Sequence, residues 1–423
     1  MSSTNKSKAP VLSDSIRFTI EKFTLLFTDG KSVDIMPEHV AGLYIEKDYD
    51  NMFLPIFRID FTADVNTFYK IVMDKTGVQA HIRIDYHPFN QAGKFDKKIR
   101  TWFNEKFDVF TEDDTPKLTK ENHDQHMEQN RTSEKKEADS SMAKNANISV
   151  YLFKTKDVNA AYNMGNFIFT STNMTDAITF LLSRAGLSNI LMSPLENQRT
   201  YKEVLVPPSS LVSALEYLNA VYGFYQHGMM FFLDIQRPYL LSKKSDITVW
   251  EKGESRRAIF NVRKSDDSDN MQNGSKTVIE ENTGYINVSP SKLAMQSPSV
   301  FNNYIHGNKI HSINLGQNKS NVLTANTIQR GNPLLGVLVN RYRNPYAESE
   351  RKYDLEHESR VITMTITESN IHWYTPNKEF IFNFEDKNVN KIYGGKYRLA
   401  AARMQFTNTG SYLTNDTSLV YKK

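Results

Sequence analysis

The sequence predicts a mainly β fold with a minority of helix (α+β). It divides into two barrel-like β-domains, each with a packed helix, and an inserted loop-rich region. Three observations carry this reading. Short apolar runs, alternating or continuous, recur towards both ends of the 423-residue chain. A strand, a capped helix and a second strand follow one another at residues 56–86 and again at 201–241. Beside these units lie long polar stretches with too little apolar surface to build a core of their own.

Residues 1–14 form a tail, and the first β-domain spans 15–111. Ile16, Phe18 and Ile20 alternate with Arg17, Thr19 and Glu21, the period of a half-buried strand. Asp29-Gly30 marks a hairpin turn, because glycine accepts the positive φ such turns require. Residues 42–49 and 52–61 read as strands joined through Asp50-Asn51. Thr62 or Asp64 caps a helix bearing Val65, Phe68, Tyr69 and Val72, and Gly77 ends it. Ala80, Ile82, Ile84 and Tyr86 then alternate with Gln79, His81, Arg83 and Asp85. Residues 101–110, with Trp102, Phe107 and Phe110, close the domain.

Residues 112–147 differ in kind. They hold no aromatic residue and almost no branched aliphatic one, so they read as a flexible polar segment. A small α+β connecting domain follows at 148–200. It has strands at 150–153 and 166–170, then a helix capped by Thr175 that carries Ile178, Leu181 and Leu182 and stops before Gly186.

The second β-domain combines 201–242 with 336–423. Pro207 and Pro208 stop its first strand, and Ser209 or Ser210 caps the next helix. Leu211, Leu215, Leu218 and Tyr222 share one face of that helix, and Gly223 ends it in a left-handed conformation. The nearly continuous apolar run 229–235 has the pattern of a strand covered on both faces. Residues 243–335 form the inserted polar domain. Isolated strands are expected at 257–262 and 336–342, and four short strands over 361–421 are separated by Pro376-Asn377 and Gly394-Gly395.

Composition excludes several classes of function. A net charge of +4 with mixed signs leaves no dense basic stripe, so a sequence-specific nucleic-acid binder is not expected. With no cysteine, disulfides, zinc–thiolate sites and cysteine nucleophiles are ruled out. The first residues lack the apolar core of a secretory signal, and runs such as Met229-Met230-Phe231-Phe232-Leu233 fall far short of the ~20 residues that span a bilayer.

The motifs that would carry chemistry are all incomplete. His123 and His126 have helical spacing but no third ligand nearby, and a solvated pair is the better reading. His306 and His311 lack a partnering carboxylate. Asp266, Asp267 and Asp269 resemble a calcium loop without its glycine or its closing glutamate. Gly394-Gly395-Lys396 lacks the first glycine of a phosphate loop, with Tyr397 where Ser or Thr is needed. Glu280-Glu281 are sequence neighbours on a polar stretch, not a pair set across a cleft. Tyr222, Phe224 and Tyr225 suit a core or a subunit interface better than a sugar platform. No catalytic, cofactor-binding or metal-binding residue is assigned, and no cofactor is expected.

Residues 180–234 run through a helix, a small turn, LVPP, a second helix, YGFY and an apolar strand. This order resembles the middle of the baseplate hub proteins of contractile-tailed bacteriophages. Residues 33–61 and 393–406 are similar to those proteins in order and style. Residues 243–332 add little, and 112–147 depart from the compact family pattern. The resemblance implies two tube-like β-barrel domains per subunit and a homotrimer presenting six similar units in a ring. It implies as partners the tail tube or a tube-initiator protein, the central spike protein and other baseplate proteins. DNA would pass only in transit through the lumen, with no membrane insertion, in a virion tail baseplate assembled in the host cytoplasm. Two other readings stay open: a peptidoglycan-degrading spike component, and a peripheral baseplate or receptor-binding protein.

Overall fold

The computed structural model describes residues 17–74, 77–87, 99–111, 117–118, 145–245, 258–262, 276–280, 284–286, 290–296, 311–314, 319–322, 344–347, 349–350, 353, 361–367, 374–376, 378–407 and 413–422. The N-terminal part is a sheet. Strands β1 (Arg17–Leu26), β2 (Ser32–Asp34), β3 (Val40–Asp48) and β4 (Ile56–Asp64) lead into helix α1 (Val65–Met73). Strands β5 (Gln79–His87), β6 (Arg100–Thr111), β7 (Lys117–Leu118) and β8 (Asn145–Lys154) follow. They pair antiparallel in the order β3-β4-β8-β6-β5-β1-β2, with β7 on β8.

The alternation in β5 is as the sequence predicts: Ala80, Ile82, Ile84 and Tyr86 are all buried. In β1 the inward positions change parity, from Phe18 and Ile20 to Phe23 and Leu25. A bulge between Ile20 and Lys22 makes that change, so both halves of the strand face one core. The sheet curls strongly. Phe23 of β1 meets Phe61 of β4 with ring centroids 5.0 Å apart, although β8, β6 and β5 lie between them in the ladder. No ladder joins β1 to β3 among the described residues.

Helix α1 is capped by Asp64, whose carboxylate accepts from the Asn66 N–H at 2.9 Å. Phe68 and Ile71 are buried, whereas Tyr69 is exposed, since one residue round a helix turns it ~100° from Phe68. The helix ends at Met73 with Asp74 at its C-cap, ahead of Gly77.

Beyond β8 come α2 (Thr155–Ala161), β9 (Met164–Asn173), α3 (Met174–Arg184), β10 (Leu191–Met192), β11 (Thr200–Ser210), α4 (Leu211–Tyr222), β12 (Met229–Leu233) and β13 (Pro238–Ser242). Strands β9 and β11 form an antiparallel ribbon, and β13 lies between β10 and β12. Three local expectations need correction. Pro207 and Pro208 do not end β11; they sit in a bulge between Val206 and Ser209, where the ladder needs no N–H. Asn173, not Thr175, caps α3, accepting from the Asp176 N–H at 2.8 Å, because the helix starts two residues earlier. Strand β8 begins at Asn145, inside the stretch read as polar linker, and Ala146 is fully buried there.

Helix α4 follows its prediction. Ser210 caps it, and Leu211, Leu215, Leu218 and Tyr222 are buried. At its end the expectation needs correction: Gly223 turns to φ +73° and ψ 132°, a positive-φ extended conformation and not the left-handed helical one the sequence predicts. Asn197 donates to the Tyr222 and Gly223 carbonyls at 2.8 and 2.9 Å, and Asn219 accepts from the Phe224 N–H at 3.0 Å. These bonds satisfy groups that the helix end leaves open.

The C-terminal part comprises β14 (Ala258–Val262), β15 (Lys276–Glu280), β16 (Gly284–Ile286), β17 (Pro290–Gln296), β18 (His311–Asn314), β19 (Lys319–Val322), β20 (Val361–Thr367), β21 (Glu379–Phe384), helix α5 (Lys387–Tyr393), β22 (Gly395–Thr407) and β23 (Leu413–Lys422). Strands β18 and β19 pair with each other. The rest continue the large sheet, as β16-β15-β14-β21-β22 along one path and β22-β23-β20-β17 along another. Strands β14 to β17, from the stretch expected to be an inserted polar domain, are thus in the sheet. The strand expected at 336–342 lies outside the described residues.

Strand β22 holds the architecture together. One edge pairs with β23 from Lys396 to Phe406. The other edge pairs first with β21, over Gly395 to Arg398, and then with β3, over Ala401 to Thr407. The N-terminal and C-terminal strands therefore form one sheet, and Phe18 packs edge-on against Phe406 with centroids 5.1 Å apart. Helix α1 packs on β4 and β8, and α5 on β21.

Residues 201–242, read from the sequence as part of the C-terminal domain, take their ladder partners elsewhere, from β9 and β10. They reach the large core through side chains. Met230 and Phe232 of β12 face it, while Phe231 and Leu233 face the smaller core of α3, α4 and β11. That is why the run is apolar on both faces. Among the described residues no helix is long and apolar enough to cross a membrane.

Candidate assembly surfaces and the buried joint

The joint forms where β3, the β12–β13 turn and the segment ahead of β21 converge. The Lys47 ammonium lies 2.7 Å from the Asp234 carboxylate and donates to the Tyr374 carbonyl at 3.0 Å. The Tyr49 hydroxyl donates to the same carbonyl at 2.8 Å, and its ring packs edge-on against Phe232. All five side chains are buried. Desolvation raises the Tyr49 phenol well above its ordinary range, with the Asp234 charge adding to the rise. Beside this, the Arg398 guanidinium forks onto Asp50 at 3.0 and 2.8 Å, the bidentate geometry that gives such pairs their direction. Segments more than 300 residues apart in sequence are thus pinned at one place.

The ribbon of β9 and β11 leaves an apolar face open. Its inner face carries Val204, Val206, Phe167 and Phe169, and the two phenylalanines pack edge-on against Phe180 at 5.3 and 5.5 Å. On its outer face Ile168 and Leu205 are direct cross-strand partners, 69% and 47% exposed. Met164 is exposed on the same ribbon. Neither edge of the ribbon is paired with another strand among the described residues. An open apolar face with free edges is the form of surface that mediates assembly. An open cleft of about 650 Å³ lies between β5–β6 and α2, lined by residues that include His81, Asn104, Lys156, Asn159, Ala160 and Ala185.

The residues weighed for chemistry are not brought together. His123, His126, His306, Asp266, Asp267, Asp269 and Glu281 lie outside the described residues. Glu280 is the last residue of β15 and His311 the first of β18. Gly395 opens β22, and Lys396 pairs with the buried Glu379 at 3.3 Å, a structural role rather than a phosphate cradle. Among the described residues no three His, Asp or Glu side chains are placed to hold a metal ion. Sequence reasoning missed the outer face of the ribbon. The exposed Ile168 and Leu205 have the same residue type as core positions, and only the pairing register separates the two faces.

A family model described as "Bacteriophage PBS1 gene 109 protein" matches residues 11–423. No curated protein matches the chain. Among solved structures, the fold is similar to a tail protein from Neisseria meningitidis MC58, at 9% identity over 96% of each chain and a TM-score of 0.47. It is also similar to the 43 kDa tail protein of prophage MuSo2 from Shewanella oneidensis, at 10% identity over 97% of each chain and a TM-score of 0.49. A third is the E. coli c3393 protein, at 10% identity, 91% of this chain, 74% of that one and a TM-score of 0.43. That protein is described as a type VI secretion component with structural similarity to the T4 tail proteins gp27 and gp5.

Proposed function

The chain belongs to the bacteriophage PBS1 gene 109 protein family, and from that membership we propose that it is a structural protein of the phage tail, the central hub of the baseplate. In this reading it forms a homotrimeric ring that joins the hexameric tail tube to the central spike. It leaves an axial channel for DNA in transit and carries out no enzymatic step. Its partners are the tube or tube-initiator protein, the spike protein and other baseplate proteins, within the virion tail.

The observation that carries the reading is β22. One chain holds two groups of strands side by side, each with a packed helix, α1 on one and α5 on the other, joined edge to edge through that strand. Three such chains supply six similar units, which meets a sixfold tube while the assembly keeps the threefold symmetry a trimeric spike requires. These units are the two tube-like domains of the proposal.

Sedimentation of the purified chain tests it. The expected species has three times the subunit mass of 48.7 kDa. A stable monomer or dimer at micromolar concentration, unchanged by tube and spike partners, rejects the hub. Activity on peptidoglycan would instead favour the spike hydrolase.

A further inference from the structure

We propose that the cluster joining Lys154, Glu105, Asp157 and the Ile235 carbonyl is a proton-operated latch. It holds α2, and the layer of β9, α3, β11 and α4 behind it, against β6 in mild acid and slackens towards neutral pH.

The geometry is unusual for an ion cluster. Strand β8 runs directly into α2, so Lys154 and Asp157 sit one turn apart at the point where the chain leaves the large sheet. The Lys154 ammonium donates to the Ile235 carbonyl at 2.9 Å and lies 3.4 Å from Glu105 of β6. It is 3.8 Å from Asp157 Oδ2, beyond hydrogen-bond range. That oxygen is buried and accepts no hydrogen bond. The Asp157 side chain keeps only 8% of its exposure, so Oδ2 would carry its share of the charge unsolvated and without a direct bond. A buried carboxylate in this position favours its neutral form.

The charged groups around α2 do not reverse that preference. Strand β6 offers Glu105, Lys106 and Asp108, the last accepting from the Thr155 hydroxyl at 2.7 Å. Strand β8 offers Lys154, the β12–β13 turn Asp234, and the helix itself Lys156. Helix α4, also packed on α2, carries one carboxylate, the exposed Glu216. Burial pushes the Asp157 carboxyl up to about 7; Lys154 and Lys156 pull it down in part, while Glu105 and Asp234 add to the rise.

An opened α2 returns Asp157 to its ordinary value of 3.8. Opening therefore releases a proton between about pH 4 and 7. The open fraction climbs by on the order of tenfold per pH unit across that window and levels off above it.

Hydrogen exchange of the 155–161 backbone in the full chain, corrected for intrinsic rates, reads the latch. Protection of α2 should fall about tenfold per pH unit from pH 5 to 7 and then level off. Asp157→Asn should keep the acid-state protection at every pH. Glu105→Gln, which removes a carboxylate that raises Asp157, should move the midpoint to lower pH. A flat wild-type profile, or an Asp157→Asn profile with the wild-type slope, overturns the proposal. Should Asp157→Asn fail to fold, an unmoved midpoint in Glu105→Gln overturns it equally.

Discussion

Gly223 holds a backbone conformation, φ +73° with ψ 132°, that residues with a Cβ avoid. A Cβ placed there would also run into the Asn344 side chain, whose amide donates to the Asn219 carbonyl of α4. Gly223→Val should therefore cost about 2 kcal/mol or more, read as a lowered thermal midpoint. The sequence showed that a glycine ends this helix; it did not show that Asn344, 121 positions later, closes over it. The Lys47–Asp234 pair was illegible for the same reason, because the strand pattern gives no sign that a charged residue in β3 faces inward. Lys47→Met strands a buried carboxylate and should cost about 3–5 kcal/mol in urea denaturation. Adding Asp234→Leu should recover most of that loss, since the unpaired charge then disappears. A single variant as stable as the wild type would show that Asp234 finds water or another partner.

Elements were legible wherever one period dominated. The alternation of β5 and the three- and four-residue spacing of α4 are both read correctly from the chain. Which strand pairs with which was not, because a ladder is made of backbone groups that every residue carries. The two edges of β22 and the ribbon partnership of β9 with β11 thus appear only in three dimensions. The distinction is testable with one substitution on each side of the small core. Leu215→Asp puts an unpaired charge on the buried face of α4 and should cost several kcal/mol. Leu205→Asp, on the open face of the ribbon, should change stability by under ~0.5 kcal/mol. If that face meets a baseplate neighbour, Leu205→Asp should still fold while losing the contact in a pull-down with assembled baseplates. A Leu205→Asp chain destabilised as much as Leu215→Asp would mean the ribbon face is packed within the subunit.

The whole molecule depends on strands from its two ends sharing one sheet through β22. Residues 119–144 contain no aromatic or branched aliphatic residue, so their replacement by a Gly/Ser linker should leave the melting temperature nearly unchanged. Loss of soluble protein on that replacement would show that the segment packs. In the proposed hub, three chains close into a ring with six similar units on one face. Electron microscopy of the purified chain, with particles averaged without imposed symmetry, tests it most directly. The expected particle is a threefold ring with an axial hole and near-sixfold density around one rim. A compact trimer without a lumen, or particles of a single subunit, would contradict it.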